Sequence, residues 1–532
     1  MICQSKRHGT KVIQQILKYI GIAKSPDQLA ALRRIGLAEI HALEQGQQVE
    51  GHPQDTCEGA SLGHMTEIAR VSDGFHEVFG KTFEVLNLGS IFDKNLCEKL
   101  KDLVIGRIVS PSSKRCTSKL LAKNYGKQLS EDAIYRLLDR LHASEEEVQT
   151  RIFETTKQFS ADSVVDVLLF DVTTLYFESQ KSDELRDFGY SKDRKINEVQ
   201  VVLALATTPE GLPIGYTLFP GKTAEVNTLL NCMRHWKTTF PIQNVCVVAD
   251  RAMMSEQNLA SMEGAFFNYV IAAKLRSLPK RLRETILSRQ AEMEISASGE
   301  LVKVQEHTIG NRRLVVSYSE SRAHKDRSDR ERLLARLAQK APKTETSPKK
   351  LVTNRGYLKY FKEQSPGKMI FDETRIDEEA RWDGLHGIIT NDLSASAASL
   401  FERYRRLWVI EESFRINKHT LEMRPIFHFK PRRIRAHILL CYLAFAVARY
   451  TQRQIATFYA PLSIERIRDA LSEVESSILE DVVTGERYKL PSAISLEAKN
   501  IYRSLGLKRF SRSCKLLRRQ KKCSALSKNL SL

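Results

Sequence analysis

The chain has 532 residues, more than one hydrophobic core normally fills, so roughly two to four domains are expected and a peptide-like or fibrous chain is excluded. It is 42% hydrophobic and 28% charged, with 25 Gly and 15 Pro, the make-up of an ordinary folded protein rather than a collagen-like or largely disordered one. Lys and Arg number 83 against 64 Asp and Glu, a formal charge of +19 with a pI near 9.4. Such an excess favours a polyanionic partner such as nucleic acid, although ribosome-associated and membrane-surface proteins share it.

The nine cysteines are odd in number, scattered, and never paired as C-x-x-C. This indicates reduced thiols in a cytosolic compartment, with neither a disulfide frame nor a zinc site. The N-terminus lacks the continuous apolar stretch and small-residue cleavage site of a secretory signal. The most apolar window, Ile438 to Val447, is bounded by His437 and Arg449 and falls short of the roughly 20 residues a membrane span needs, so it reads as a buried helix with no membrane partner.

In chain order, residues 1–74 are expected to form an N-terminal segment with one helical pattern, then a polar linker or loop (EQGQQVEGHPQDTCEGASLGH). Across 75–160 the apolar residues recur at three- and four-residue steps (LCEKLKDLVIGRIV, DAIYRLLDRLHA, VQTRIFETTKQF), which predicts an all-helical domain. There Ser130 should cap the helix that holds Tyr135 and Leu138.

The period then changes. Within 161–274, Val164–Phe170, Val199–Ala206, Leu212–Phe219, Asn244–Ala249 and Phe266–Ala273 are short Val-, Ile- and Leu-rich runs, expected of strands in a mostly buried sheet. Helices are expected at Asn227–Thr238 and Ser255–Glu263, giving an α/β core. A charged segment, 275–380, interrupts it with a strand pair around Gly310-Asn311 and the helix DRSDRERLLARLAQK. Within 381–425 the core resumes with the strand Leu385–Thr390 and a long helical pattern from Ala395 to His419. The remaining 426–532 is helical around 432–456 and ends in a basic tail with no Asp or Glu after Glu497.

Asp171 follows the apolar run VVDVLLF, and Asp250 follows NVCVVA. A lone Asp there would be an ordinary turn residue, but two are expected together at the carboxyl ends of strands in one sheet, where open α/β sheets place their sites. Tyr404, Glu411 and Lys418 are spaced by seven, with Trp408 and Arg415 along the same stripe, so one helical face carries an aromatic, a carboxylate and cations. The plain alternative for that helix is a solvated amphipathic surface with pairs such as Glu411 with Arg415. Three hard oxygen ligands without a Cys or His set point to magnesium or manganese. Two such ions about 4 Å apart support in-line phosphoryl displacement. Gly221-Lys222-Thr223 lacks the upstream Gly of a phosphate-binding loop, so ATP use is not indicated. Trp382 reads as a buried Trp beside a Gly turn or as an aromatic for an unstacked base, and His428 and His437 read as structural.

These residues resemble the DDE transposases of bacterial insertion sequences, specifically the insertion sequence four superfamily. The likeness rests on Asp171, Asp250 and Glu411 with the Tyr-x6-Glu-x6-Lys spacing, and on LLFDVTTLYFES, GLPIGYTLFPGKTAEVNTL, VVADRAMM, WDGLHGIITND and YRRLWVIEESFR through RPIFHFKPRRIRAHILLCYLA. It spans about residues 75 to 460. It implies an RNase H-like core interrupted by a β-rich insertion, a helical N-terminal domain at 75–160 that binds DNA, and a helical C-terminal region. It also implies cut-and-paste transposition, by cleavage and strand transfer of double-stranded DNA at element ends and target, using two Mg2+ or Mn2+ ions held by Asp171, Asp250 and Glu411. A homodimer is expected in the synaptic complex, in the bacterial cytoplasm at the nucleoid.

By the same resemblance Tyr404 and Lys418 would hold terminal phosphates. The family motif has Arg three residues after the Tyr, where this chain has Leu407, flanked by Arg405 and Arg406; which Arg grips the strand stays open. Glu412 is the runner-up to Glu411, and Arg415, Arg432 and Arg433 are further candidates for phosphate contact. Two other readings are a catalytically silent protein that binds transposon ends and a metal nuclease without strand transfer.

Overall fold

The computed structural model describes residues 2–8, 11–18, 33, 64–160, 165–189, 197–240, 245–288, 293–297, 300–340, 360–365, 368–509 and 514–516. The polar linker and most of the basic tail lie outside these residues. Two compact units emerge: 1–164 with 415–532, discontinuous in sequence, and 165–414, a single stretch of chain.

In the first unit, β1 (Ile2–His8) and β2 (Lys11–Lys18) pair antiparallel where a helical pattern is expected. Val12, Ile13 and Ile16 are β-branched, and such residues suit a pleated pair better than a helix. After β3 (Met65–Ser72) the expected helical domain follows, with helices at Gly74–Val85, Lys94–Val109, Lys114–Tyr125, Glu131–Ala143 and Glu145–Phe159. Ser130 caps the fourth, its hydroxyl accepting from Ala133 N. These helices gather around Pro431–Phe458, a 28-residue helix that begins with Pro, whose missing N–H suits a first turn. Tyr450 on that helix donates to the Ile152 carbonyl at 2.8 Å and stacks on Phe159 at 4.9 Å. It is long and apolar enough to cross a bilayer, yet 94% of its most apolar window is buried inside the protein.

The second unit is a mixed sheet with helices. Its strands are β4 (Val167–Tyr176), β5 (Gln200–Thr207), β6 (Pro213–Pro220), β7 (Cys246–Ala249) and β8 (Asn268–Ala272), then β9 (Met293–Ala297), β10 (Glu300–Ile309) and β11 (Arg312–Tyr318). A separate hairpin, β12 (Phe361–Ser365) with β13 (Lys368–Phe371), precedes β14 (Leu385–Thr390). The sheet order is β6-β5-β4-β7-β8-β14-β11-β10-β9. Only β4 with β7 and β7 with β8 pair in parallel; the other neighbours are antiparallel. This is consistent with an α/β, RNase H-like core.

Every residue of β5 is buried, as a strand covered on both faces requires. The helix Thr228–Thr239 supplies one cover. Its Trp236 meets Phe170 edge-on at 6.1 Å, and a side chain at Gly215 would meet Trp236 Nε1 at 3.1 Å, so glycine lets helix and strand close together.

Two expectations change here. The charged segment 275–380 is read from sequence as an interruption, but β9, β10 and β11 extend the same sheet through β14. Arg312 fixes that join: it binds Glu263 at 2.6 and 3.1 Å and Glu256 at 2.8 Å, both on the helix Glu256–Gly264. Secondly, Asp171 lies inside β4, which runs on to Tyr176 because Val172–Tyr176 continues to pair with Gln200–Ala204.

The first unit closes with the helix Ile464–Ser472, β15 (Glu475–Asp481), β16 (Arg487–Pro491), the helix Leu496–Ser504 and β17 (Cys514–Leu516). With β3 these strands form a four-stranded sheet ordered β17-β16-β15-β3. Among the described residues Cys97, Cys116, Cys232, Cys246 and Cys441 are free thiols.

Candidate active site

The parallel register of β4 and β7 pairs Phe170 with Ala249, so Asp171 and Asp250 come next in line on neighbouring strands, with backbones about 4.8 Å apart. Side chains alternate along a strand. With Phe170 packed against Trp236, Asp171 projects to the opposite face. Each carboxylate is steadied by the next backbone N–H: Asp171 Oδ1 accepts from Val172 N at 2.7 Å, and Asp250 Oδ1 from Arg251 N at 2.6 Å.

Glu411 comes from the helix Trp408–Arg415. The expected continuous helix from Ala395 to His419 is instead three pieces: Ala397–Arg405, Trp408–Arg415 and a π-helical turn at Ile416–Thr420. At the first break Leu407 N reaches Tyr404 O at 3.0 Å and Ile410 N reaches Leu407 O at 3.1 Å, the tight i to i+3 pattern of a 3₁₀ turn. Leu407, 8% exposed, fixes the bend by burying its side chain. The seven-residue stripe therefore does not lie on one straight helix.

Even so, Asp171, Asp250, Glu411 and Tyr404 line one cavity of about 860 Å³. Arg405 and Trp408 line it too, as do Arg322 and Lys325 from the helix Glu320–Lys340. A second cavity of about 770 Å³ shares Asp250, Arg322, His386 and Tyr404 and adds Trp382, Lys274 and Arg330. Carboxylates and cations thus share a recess at the ends of the parallel strands.

Burial pushes the Tyr404 hydroxyl up to about 12, with Asp250 adding to the rise and Arg322 and Arg251 opposing it. It is a proton donor at neutral pH. His386 on β14 lies 4.9 Å from the Tyr404 ring. Burial, with help from Arg322 and Arg251, pushes its imidazole down to about 4, so it stays neutral beside the cavity.

The carboxylates facing the cavity are oxygen donors, the chemistry that suits magnesium or manganese, and the neutral His386 ring lines the cavity beside them. Among the described residues, no three Asp, Glu, His or Cys side chains are gathered closely enough to hold a metal ion by themselves. The carboxylates line an open recess rather than a closed cage.

The other expected residues separate by position. Arg405 lines the cavity, whereas Arg406 turns to Glu402 at 3.2 Å and Glu210 at 4.0 Å. Glu411 lines it; Glu412 does not. Arg415, at the helix end, and Lys418, on the π-helical turn, belong to the first unit. There Arg433 binds Asp139 through two contacts of 3.3 Å and lies over the Tyr135 ring at 4.6 Å, while Arg432 reaches the same carboxylate at 3.3 Å. Arg322, Lys325 and His386 were not singled out from sequence; only the basic string SRAHKDR hints at the first two.

Asp171, inside β4, and Asp250, just past β7, thus open onto one recess of a mixed sheet with helices, consistent with an α/β RNase H-like core. The chain belongs to the family of the transposase DDE domain, which it matches over residues 163–447. Among solved structures it is similar to the piggyBac transposase synaptic complex with hairpin DNA, at 10% identity over 75% of this chain and 77% of that one, with a TM-score of 0.36. It is also similar to the Mos1 transposase paired-end complex with left transposon end, at 12% identity over 35% of this chain and 57% of that one, with a TM-score of 0.15. No curated protein matches it.

Proposed function

We propose that the chain is a DDE transposase that cuts double-stranded DNA at the ends of an insertion sequence and joins the freed 3′ ends to a target, in a cut-and-paste reaction. The observation that carries this reading is the convergence of Asp171, Asp250 and Glu411 on one cavity, in a chain of the transposase DDE domain family. Those carboxylates would hold Mg2+ or Mn2+, which when bound supplies charge stabilisation for an in-line displacement at phosphorus. Tyr404 donates its hydroxyl to a phosphate oxygen, and Arg405, with its charge on the cavity, grips the strand. Lys418 and Arg415 add cationic charge for the DNA backbone, whereas Arg432 and Arg433 are engaged with Asp139. Holding two element ends calls for a homodimer, and the bacterial cytoplasm at the nucleoid is where such DNA would be met.

Cleavage is tested with the full chain and a DNA carrying the flanks of its own coding sequence, with and without Mg2+. Metal-dependent nicks at one position in each flank support the reading. Labelled ends that become attached to target DNA separate strand transfer from simple nuclease action. The open arrangement of the carboxylates favours one second reading, an end-binding protein without catalysis, for which binding would persist and no nick would form.

A further inference from the structure

Between the π-helical turn and the Pro431–Phe458 helix runs the segment PIFHFKP, in which exposure alternates from Ile426 to Phe429. Phe427 and Phe429 are 63% and 72% exposed, while Ile426 and His428 are 4% and 9% exposed. Alternation of this kind is that of extended backbone, which sends residues two apart to the same side.

The hidden side is braced. The His428 ring meets Tyr135 edge-on at 6.2 Å and lies 5.4 Å from the His437 ring. Upstream, Met423 N donates to Asn417 O at 2.8 Å; downstream, Ile434 N donates to Lys430 O at 3.0 Å. The two phenyl rings therefore stand on a segment fixed at both ends and from beneath, with the exposed cation Lys430 beside them and Arg432, paired with Asp139, two residues further on.

A single exposed apolar side chain needs no explanation. Two on a braced segment next to a cation have a specific geometry: two residues of extended chain advance about 6.6 Å, roughly twice the 3.4 Å rise per nucleotide of a DNA strand. One flat base fits between rings so spaced. A second copy of the chain is a poorer occupant, since two rings of about 150–250 Å² each fall well short of the roughly 800 Å² per partner of a stable interface.

We infer that Phe427 and Phe429 form a stacking clamp for one unpaired DNA base, with Lys430 meeting the adjoining phosphate. This rests on the reading of the chain as a DNA-processing enzyme. Base–aromatic stacking is tolerant of sequence because every base offers a π-face, so the clamp reads whether a base is unpaired and not which base it is.

The test uses the full chain and a short single-stranded oligonucleotide containing one 2-aminopurine, with the same sequence as a blunt duplex for comparison. The wild-type chain should quench the 2-aminopurine. Phe427→Ala or Phe429→Ala should each weaken single-strand binding about tenfold and change duplex affinity less than about twofold, and Phe→Trp at either position should restore single-strand binding. Because both rings face solvent, the Ala variants should melt like the wild type. A double Ala variant that binds and quenches as the wild type does overturns the inference, as does one that only shifts the oligomeric state. If the wild type cuts DNA and neither ring matters, this inference alone falls; if it quenches but never cuts, the transposase reading falls and the clamp stands.

Discussion

Lys114 opens the helix Lys114–Tyr125 from a fully buried position, and its ammonium meets the His437 ring nitrogen Nδ1 at 3.3 Å rather than a carboxylate. Burial, reinforced by the nearby Arg107 charge, pushes its pKa from 10.5 down to about 7. The depressed value means that the unfolded chain binds the proton first as pH falls. The folded state therefore loses stability progressively between pH 10.5 and 7, and below 7 the loss is complete. The shift is 10.5 − 7 = 3.5 units, which at about 1.36 kcal/mol per unit sets a ceiling of roughly 5 kcal/mol. Lys114→Met removes that burden and forfeits one hydrogen bond of about 1 kcal/mol, so at pH 7 the variant should be more stable by about 3 kcal/mol, and near pH 10.5 the advantage should vanish. Urea unfolding followed by far-UV circular dichroism at pH 7, 8.5 and 10 reads the difference. Tryptophan fluorescence serves as the internal control, because Trp236, Trp382 and Trp408, all three tryptophans of the chain, lie in the other unit. A Met variant less stable than wild type at pH 7, or a difference flat across pH, refutes the reasoning.

Other outcomes follow from the 165–414 unit. Arg312→Ala strands Glu263, which also accepts the Tyr269 hydroxyl at 2.7 Å, and should cost about 3 kcal/mol, seen as a lower urea midpoint in tryptophan fluorescence. Gly387→Ala would place its new carbon 3.0 Å from Leu275 Cγ and 3.2 Å from Ala273 Cβ, overpacking that should cost about 1–3 kcal/mol by the same assay. Arg405→Ala should lower DNA cleavage about tenfold by removing a charge-assisted phosphate contact worth about 1.5 kcal/mol. Arg406→Ala, already engaged with Glu402 and Glu210, should stay near wild type, and equal losses in the two would discredit the division between them.

Much of the 165–414 unit was legible because its strands are buried on both faces. VQVVLALA leaves no alternative period, and β5 forms where that run predicts it. The helical domain was legible for the converse reason, its three- and four-residue steps marking one apolar face per helix. Asp250 follows directly on β7, where the apolar run NVCVVA places a strand-end carboxylate; that it shares a cavity with Glu411 was expected only from the family resemblance. Asp171 was placed one stretch too late in its strand, because an acidic residue followed by Val-Thr-Thr gives no local sign that pairing with β5 continues. The bend at Leu407 was missed since its cause is tertiary: burying that leucine outweighs helical continuity. Nor did sequence reveal that β9, β10 and β11 extend the sheet, because pairing of β11 with β14 joins residues about seventy apart and leaves no periodic trace. Arg322 and His386 reach the cavity only through that pairing. The charge of Arg433 was visible, but not Asp139, which takes it up.

Metal-dependent chemistry at the cavity is tested most directly by Asp171→Asn, Asp250→Asn and Glu411→Gln, assayed for cleavage of DNA bearing the flanks of the chain's own coding sequence. Each should abolish Mg2+-dependent nicking while leaving DNA affinity and the urea midpoint within about twofold and 1 kcal/mol of wild type, as loss of a site ligand without loss of fold requires. Glu412→Gln should keep cleavage. Nicking that survives in any of the three, or that disappears equally in Glu412→Gln, would contradict the assignment of these carboxylates.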